Sequence, residues 1–388
     1  MRRRLPLRLR GALAALLLLC LAAQADAQTV SRRYIAFGDS ITEGVGDNLS
    51  RAELGYPPRL EDLLNQRGVS AQVDNRGLAG ETTSGGLSRI NRVLDSGGDV
   101  LLLMEGTNDV NDRVSNETIV FNLGEMADRA EARGLEVVHA TLIPRNGSNY
   151  DGNNRVTAAL NGLIRELAYA NDRELADPFE VILYQTPDPF LTLYVGGADK
   201  LHPNAAGYDV LARVFADVLT NVDDVPPVTG LISPRIEEPR VAGTAPISID
   251  LYDFGTGIDL AATRLIINEV EVETPVQGNS EKLEIRYTPA VPFRGPVSVV
   301  LESRDLANPP NTVSRVVTTF EVEAGEPLAG DVDRDGRIDG EDLVALAFAF
   351  GAVRNEIRYN AAADFNRDGR VDGVDLSALA ANFGRPSF

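Results

Sequence analysis

An α/β domain built on a parallel sheet, followed by a β-sandwich and a small all-α module, is the fold class this chain predicts. Three observations predict it. Between residues 30 and 221, short β-rich runs alternate with helical patterns, as in a parallel sheet covered by helices. From about 228 to 323 the helical period vanishes, and β-branched runs separated by Gly and Pro replace it. The last 60 residues hold an internal repeat rich in Asp and Gly. At 388 residues the chain is also too long for one typical domain.

The amino-terminal end reads as a targeting segment. Arg2, Arg3, Arg4, Arg8 and Arg10 precede an apolar run over 12–23, and Ala25-Asp26-Ala27 follows. A basic head, an apolar stretch and small residues where a signal peptidase reads predict a secretory signal peptide over 1–27, and hence a secreted, extracellular protein. A membrane anchor is the poorer reading, because the run is shorter than the roughly 20 residues that span a bilayer. No membrane span is therefore expected. Leu19 before Cys20, where a lipoprotein carries Gly, Ala or Ser, speaks against lipid attachment. Cys20 is the sole cysteine, so the mature chain would use neither disulfides nor thiol chemistry. The formal charge is −20 at pH 7, and removal of 1–27 makes the chain more acidic still. Such a surface repels phosphate backbones, which argues against a nucleic-acid partner.

In the first domain the patterns predict strands at 34–37, 71–74, 100–104 and 135–140, with a fifth near 181–183. Helices are expected near 57–67, 84–95, 116–133, 154–171 and 205–220, the last capped by Asn204. Four short segments fall at the ends of these elements: Gly38-Asp39-Ser40, Gly80, Gly106-Thr107-Asn108-Asp109 and Asp199-Lys200-Leu201-His202. Ser40, Gly80 and Asn108 each follow a strand, where open α/β sheets bind ligands. Together they supply the parts of a serine hydrolase. Ser40 is an oxygen nucleophile, His202 can take its proton, and Asp199 can orient the imidazole. The N–H groups of Ser40 and Gly80 and the Asn108 amide suit an oxyanion hole.

The set resembles the SGNH (GDSL-type) hydrolase superfamily of esterases and lipases, over roughly residues 30–221. The matching text is Gly38-Asp39-Ser40-Ile41, Gly77-Leu78-Ala79-Gly80-Glu81, Gly106-Thr107-Asn108-Asp109 and Asp199-Lys200-Leu201-His202-Pro203. Ile41 replaces the Leu of the GDSL name, an apolar exchange. The resemblance implies a flavodoxin-like SGNH three-layer fold over 28–222 and a Ser40-His202-Asp199 ester hydrolase that needs no cofactor for catalysis. Asp39 is expected to orient the turn, and Asp109 to fix the loop presenting Asn108. His139, inside a strand, reads as structural. The substrate reading favours short-chain acyl esters, such as acetyl groups on xylan or pectin. A lysophospholipid or other lipid ester is the alternative, and a non-catalytic scaffold protein is the alternative of another class.

Asp223-Asp224-Val225-Pro226-Pro227 reads as a linker. The runs 247–251, 263–267, 283–287, 297–301 and 313–322 then predict a β-sandwich over 226–325. It resembles the immunoglobulin-like modules of bacterial secreted enzymes. A spacer is favoured over a sugar-binding module, because the segment has no Trp and only Tyr252, Phe254, Tyr287, Phe293 and Phe320 as aromatics.

In the final segment, 326–388, Asp331-x-Asp333-x-Asp335-Gly336-Arg337-x-Asp339-x-x-Asp342 repeats at an offset of 33 as Asp364-x-Asn366-x-Asp368-Gly369-Arg370-x-Asp372-x-x-Asp375. Side-chain oxygens at loop positions 1, 3, 5, 9 and 12, Gly at 6, and the backbone carbonyl of Arg337 or Arg370 at 7 make a calcium loop. Each loop is followed by a helical run, 343–350 ending at Gly351 and 376–383 ending at Gly384. A duplicated calcium loop with only its exiting helix resembles a type I dockerin. The resemblance implies structural calcium and a cohesin or cell-surface partner, contacted near Gly340-Glu341 and Gly373-Val374.

Overall fold

The computed structural model describes residues 31–48, 54–145, 151–236, 238–273, 276–322, 329–333, 337–354, 356 and 358–385. The expected signal peptide, 1–27, lies outside them. Strands β1 (Arg32–Gly38), β2 (Ala71–Gly77), β3 (Val100–Met104), β4 (Glu136–Ala140) and β5 (Glu174–Ala176) form one parallel sheet. Their order is β2-β1-β3-β4-β5, the flavodoxin-like arrangement. Because helices cover both faces, β3 is apolar and buried along its whole length instead of alternating.

Helices α1 (Ser40–Glu43), α2 (Tyr56–Gln66), α3 (Thr83–Leu94), α4 (Thr107–Asp112), α5 (Asn116–Glu131) and α6 (Asp151–Ala170) follow in chain order. On one face of the sheet Leu60 and Leu64 of α2 pack with Leu211 and Phe215 against Tyr34, Ala36 and Leu102. On the other, Ile90 of α3, Leu123 of α5 and Ile164 of α6 cover Ile35, Phe37 and Leu103. Each Leu, Ile or Phe among them, fully buried, contributes roughly 1.5–3 kcal/mol. The sheet is thus the middle layer of three.

The expected fifth strand near 181–183 is corrected. The strand is Glu174–Ala176, and Val181–Gln185 forms a π-helical turn after the short helix α7 (Pro178–Glu180). Asp177 starts that helix by accepting the Glu180 N–H, with Pro178 at the first helical position. The β-branched run after it then enters as helix; short apolar runs do not distinguish strand from buried helix. Helix α8 (Pro189–Thr192) and a two-stranded ribbon, β6 (Tyr194–Gly196) with β7 (Asp199–Pro203), were not expected from the sequence. The ribbon leads into α9 (Ala205–Leu219), where the Asn204 side chain accepts the Gly207 N–H as its cap.

Beyond the linker, β8 (Val228–Ser233), β9 (Glu238–Val241), β10 (Ile247–Tyr252), β11 (Arg264–Ile267), β12 (Val270–Val272), β13 (Val276–Gly278), β14 (Lys282–Tyr287), β15 (Pro296–Arg304) and β16 (Thr312–Val322) make the sandwich. Its sheets run β13-β14-β10-β8 and β12-β11-β15-β16-β9. Tyr252 and Phe320 are buried, and Tyr287 and Phe293 pack against the core, so the sandwich absorbs the aromatics a sugar platform would expose. The sandwich is seated on the first domain instead of standing away from it. Arg315 is bonded to the buried Glu180, Lys282 Nζ lies 2.7 Å from Glu166 Oε2, and Arg165 donates to the Thr229 carbonyl at 2.7 Å.

In the final module, α10 (Gly340–Ala349) and α11 (Gly373–Asn382) each begin inside the repeat, three residues earlier than expected. The cause is a capping box: Asp339 and Asp372 are N-caps, answered by Asp342 and Asp375.

His139 sits in β4, fully buried, with no hydrogen-bond partner on either ring nitrogen among the described residues. Burial, and then Arg173, push its pKa down to about 3. The folded state therefore holds it neutral, while the unfolded chain takes up a proton below about 6.5. Stability from this site is complete above that pH and is lost as pH falls toward 3. Between pH 7 and 5 the loss should be roughly 2 kcal/mol. Denaturant unfolding of His139→Leu should show a correspondingly flatter acid dependence than the parent chain.

Candidate active site

In the sheet register Gly38 of β1 lies beside Met104 of β3, at the point where strand order reverses. A crevice opens at the carboxyl ends of strands at such a point. A Cβ on Gly38 would lie 2.0 Å from the Met104 carbonyl oxygen, so only glycine allows the strands to end this close. The chain then turns sharply. Asp39 caps α1 by accepting the Ile41 N–H at 2.9 Å, which makes Ser40 the first helical residue. Burial pushes the Asp39 carboxyl up to about 6, against the lowering effect of that Ile41 N–H. Asp39 thus orients the turn, as the sequence suggested.

The β6–β7 ribbon returns to the same place from the far end of the domain. Ser40 Oγ and His202 Nε2 are 2.9 Å apart, and His202 Nδ1 is 2.8 Å from Asp199 Oδ2. The other Asp199 oxygen, Oδ1, accepts the N–H groups of Leu201 and His202, each at 3.0 Å. Burial raises the Asp199 carboxyl, but these N–H groups and the imidazole outweigh it, and its pKa lies below the usual carboxylate value. An ionised Asp199 holds the proton on Nδ1 and leaves Nε2 as an acceptor facing the hydroxyl. The Tyr208 hydroxyl of α9 donates to the Val45 carbonyl at 2.6 Å, tying the two ends of this chain of bonds together.

Two loops complete the site. Gly80 has φ +78°, a conformation that favours glycine, and its N–H donates to no protein acceptor among the described residues. The Ser40 N–H, at a helix start, is likewise without an acceptor. Asn108 donates from Nδ2 to the Glu81 carbonyl at 2.7 Å, so one amide hydrogen locks its side chain and one is left over. Asp109 accepts from Thr83 N and Oγ1 at 2.8 and 2.6 Å, clamping this loop to the start of α3. Glu81, read in the sequence only as motif text, and Arg89, not singled out there, brace the turn at Gly80. Arg89 donates from Nε to Glu81 at 2.7 Å, and reaches the Arg76 carbonyl at 2.8 Å. A Glu–Arg spacing of eight is no helical neighbour pair, so nothing in the text marks it.

At the carboxyl end of the chain, one oxygen from each of Asp331, Asp333 and Asp342 lies within 4.8 Å of the others. Asp335 lies outside the described residues. In the second loop Asp364 accepts the Gly369 and Asp368 N–H groups at 2.8 and 3.1 Å, and Asp375 accepts those of Phe365 and Asp372 at 2.8 and 2.9 Å. Asn366 and Asp368 sit on the same turn, with Asp372 as the cap of α11 and Arg370 contributing backbone.

The model of the GDSL-like lipase/acylhydrolase family matches residues 36–210, which contain all five expected active-site positions. An arylesterase from Vibrio mimicus is 30% identical over 141 residues, spanning 36% of this chain and 68% of that protein. The chain belongs to the GDSL-like lipase/acylhydrolase family. Esterase TesA from Pseudomonas aeruginosa is 33% identical over 138 residues, 35% of this chain and 65% of that protein. As a member of this family the chain is a carboxylic ester hydrolase. Among solved structures, an acetylxylan esterase from Geobacillus stearothermophilus is 21% identical, covering 48% of this chain and 94% of that one, with a TM-score of 0.41. Residues 329–383 match the type I dockerin domain, a domain that binds calcium and pairs with cohesins. No described helix is long and apolar enough to cross a membrane.

If the remaining Asn108 hydrogen meets the developing oxyanion, Asn108→Ala should lower kcat on the order of 100- to 1000-fold. KM should change little, because the interaction forms only as charge develops. Steady-state kinetics on a soluble ester checks both.

Proposed function

We propose that Ser40, His202 and Asp199 form the catalytic triad of a secreted esterase acting on short-chain acyl esters, with acetylated plant polysaccharide as the natural substrate class. The observation that carries the mechanism is the bonded chain from Ser40 through His202 to Asp199, at 2.9 and 2.8 Å. Ser40 Oγ attacks the ester carbonyl while His202 Nε2 takes its proton. The tetrahedral oxyanion rests on the N–H groups of Ser40, Gly80 and Asn108. His202 then gives its proton to the leaving alcohol, and an acyl-Ser40 ester remains. Water, losing a proton to His202, attacks this acyl group; collapse returns the proton to Ser40 and releases the carboxylic acid.

The domain plan supports a polymeric substrate. A dockerin fixes an enzyme to a scaffold or surface, an arrangement of use to a catalyst whose substrate does not diffuse. The convergent Asp331, Asp333 and Asp342 oxygens fit a hard cation. With Asp335, Arg337 and Asp339 they would hold one calcium ion. Asp364, Asn366, Asp368, Arg370, Asp372 and Asp375 would hold a second. Calcium bound there supplies charge neutralisation that folds the loops; catalysis needs none of it.

Hydrolysis of p-nitrophenyl esters from acetate to palmitate, followed by acetate release from acetylated xylan, tests this reading. Activity should peak at the shortest chains, and Ser40→Ala should lose at least about 1000-fold in kcat. A maximum at long chains would favour a lipid substrate. Undiminished turnover by Ser40→Ala would remove the nucleophile.

A further inference from the structure

A second group of carboxylates lies far from the repeat, where the first domain meets the sandwich. Asp223 belongs to the linker after α9, Asp253 directly follows β10, and Asp305 directly follows β15. One oxygen from each lies within 4.8 Å of the other two. The three come from three separate parts of the fold: the linker and one strand end of each sandwich sheet. Asp253 is 5% exposed and Asp305 1%. Like charges this close and this dry repel strongly. Among the described residues, no Lys or Arg side chain pairs with any of the three.

The surrounding loops are shaped to hold the carboxylates in place. Asp253 Oδ1 accepts the N–H groups of Gly255 and Gly257, each at 2.8 Å. Asp305 Oδ1 accepts those of Ala307 and Asn311, at 3.1 and 2.8 Å, and Asn311 Nδ2 donates to Asp305 Oδ2 at 2.6 Å. Asp223 Oδ2 accepts the Thr256 N–H at 2.5 Å. A Cβ on Gly255 would meet the Asp223 carboxyl at 2.2 Å, so the loop gives up a side chain to admit it. Asp253 Oδ2 is buried and accepts no hydrogen bond among the described residues. A buried carboxylate oxygen with no donor is costly unless something positive reaches it. The adjoining cavity, about 310 Å³, is lined by six carboxylate side chains and no Lys, Arg or His.

We infer that Asp223, Asp253 and Asp305 form a calcium site that fastens the linker to both sheets of the sandwich. Calcium, rather than magnesium, suits ligands drawn from three independent loops, because it tolerates irregular all-oxygen shells. Burial, with Asp223 alongside, pushes the Asp253 carboxyl up to about 7 against its Gly257 hydrogen bond, in the direction expected of an acid held without a counter-charge. The site is independent of the hydrolase reading, since none of its residues belongs to the crevice around Ser40.

Hydrogen exchange on the full-length chain, in about 1 mM calcium chloride and after EDTA treatment, tests the site. Amides in 221–226, 253–257 and 305–311 should exchange about tenfold more slowly with calcium, as expected when the ion exceeds its Kd by about tenfold. Asp253→Asn keeps the Oδ1 acceptor and should lose this slowing, while the dockerin residues 329–385 still respond to calcium. No slowing in these three segments of the parent chain, beside a responsive dockerin, would overturn the site. Equal slowing in Asp253→Asn, or by about 1 mM magnesium chloride alone, would overturn the assignment to calcium at Asp253.

Discussion

The hydrogen bond between Ser40 and His202 joins residues 162 apart in sequence, and much of the first domain serves to make it. Neither group is useful alone. A serine hydroxyl is a weak nucleophile, and an imidazole without an oriented acceptor presents either nitrogen. The sheet fixes Ser40 at the end of β1, where Gly38 permits close approach to β3, and Asp39 sets the turn. The β6–β7 ribbon fixes His202 through two backbone bonds and one ring bond to Asp199. Tyr194 of the ribbon shares one core cluster with Tyr34 and Ala36 of β1, so both halves are anchored to the same core.

What the sequence revealed follows from the range of each interaction. Strands buried on both faces carry continuous apolar text, so the core strands 100–104 and 34–37 were legible. The candidate site residues lie close to the ends of strands, so Ser40, Gly80, Asn108, Asp199 and His202 were legible as types in order, and the fold brings Ser40, His202 and Asp199 into contact. The run at 181–183 misled because its fate was decided upstream, by Asp177 capping and Pro178, and short apolar runs are ambiguous. The Glu81–Arg89 brace and the Thr83–Asp109 clamp were invisible for another reason: each depends on tertiary placement, which no local spacing encodes. The dockerin repeat was the reverse case, with every ligand position within twelve residues of its partners.

The sandwich shows the same limit at the scale of domains. Its strands were readable from their alternation, yet its seating was not. Glu180 and Arg315 are 135 residues apart, and Glu166 and Lys282 are 116 apart. Glu180 is buried against a partly exposed Arg315, so removing Arg315 would leave a carboxylate stranded in the interface. The sandwich is therefore packed onto the hydrolase domain through these pairs and does not stand apart from it.

The most direct test of the Ser40–His202 relay is covalent labelling by a fluorophosphonate, followed by intact mass and peptide mapping. One adduct per chain on the peptide containing Ser40, absent from His202→Ala at neutral pH, is the predicted result. A protein that hydrolyses esters yet carries its adduct elsewhere, or labels equally without His202, would contradict the account.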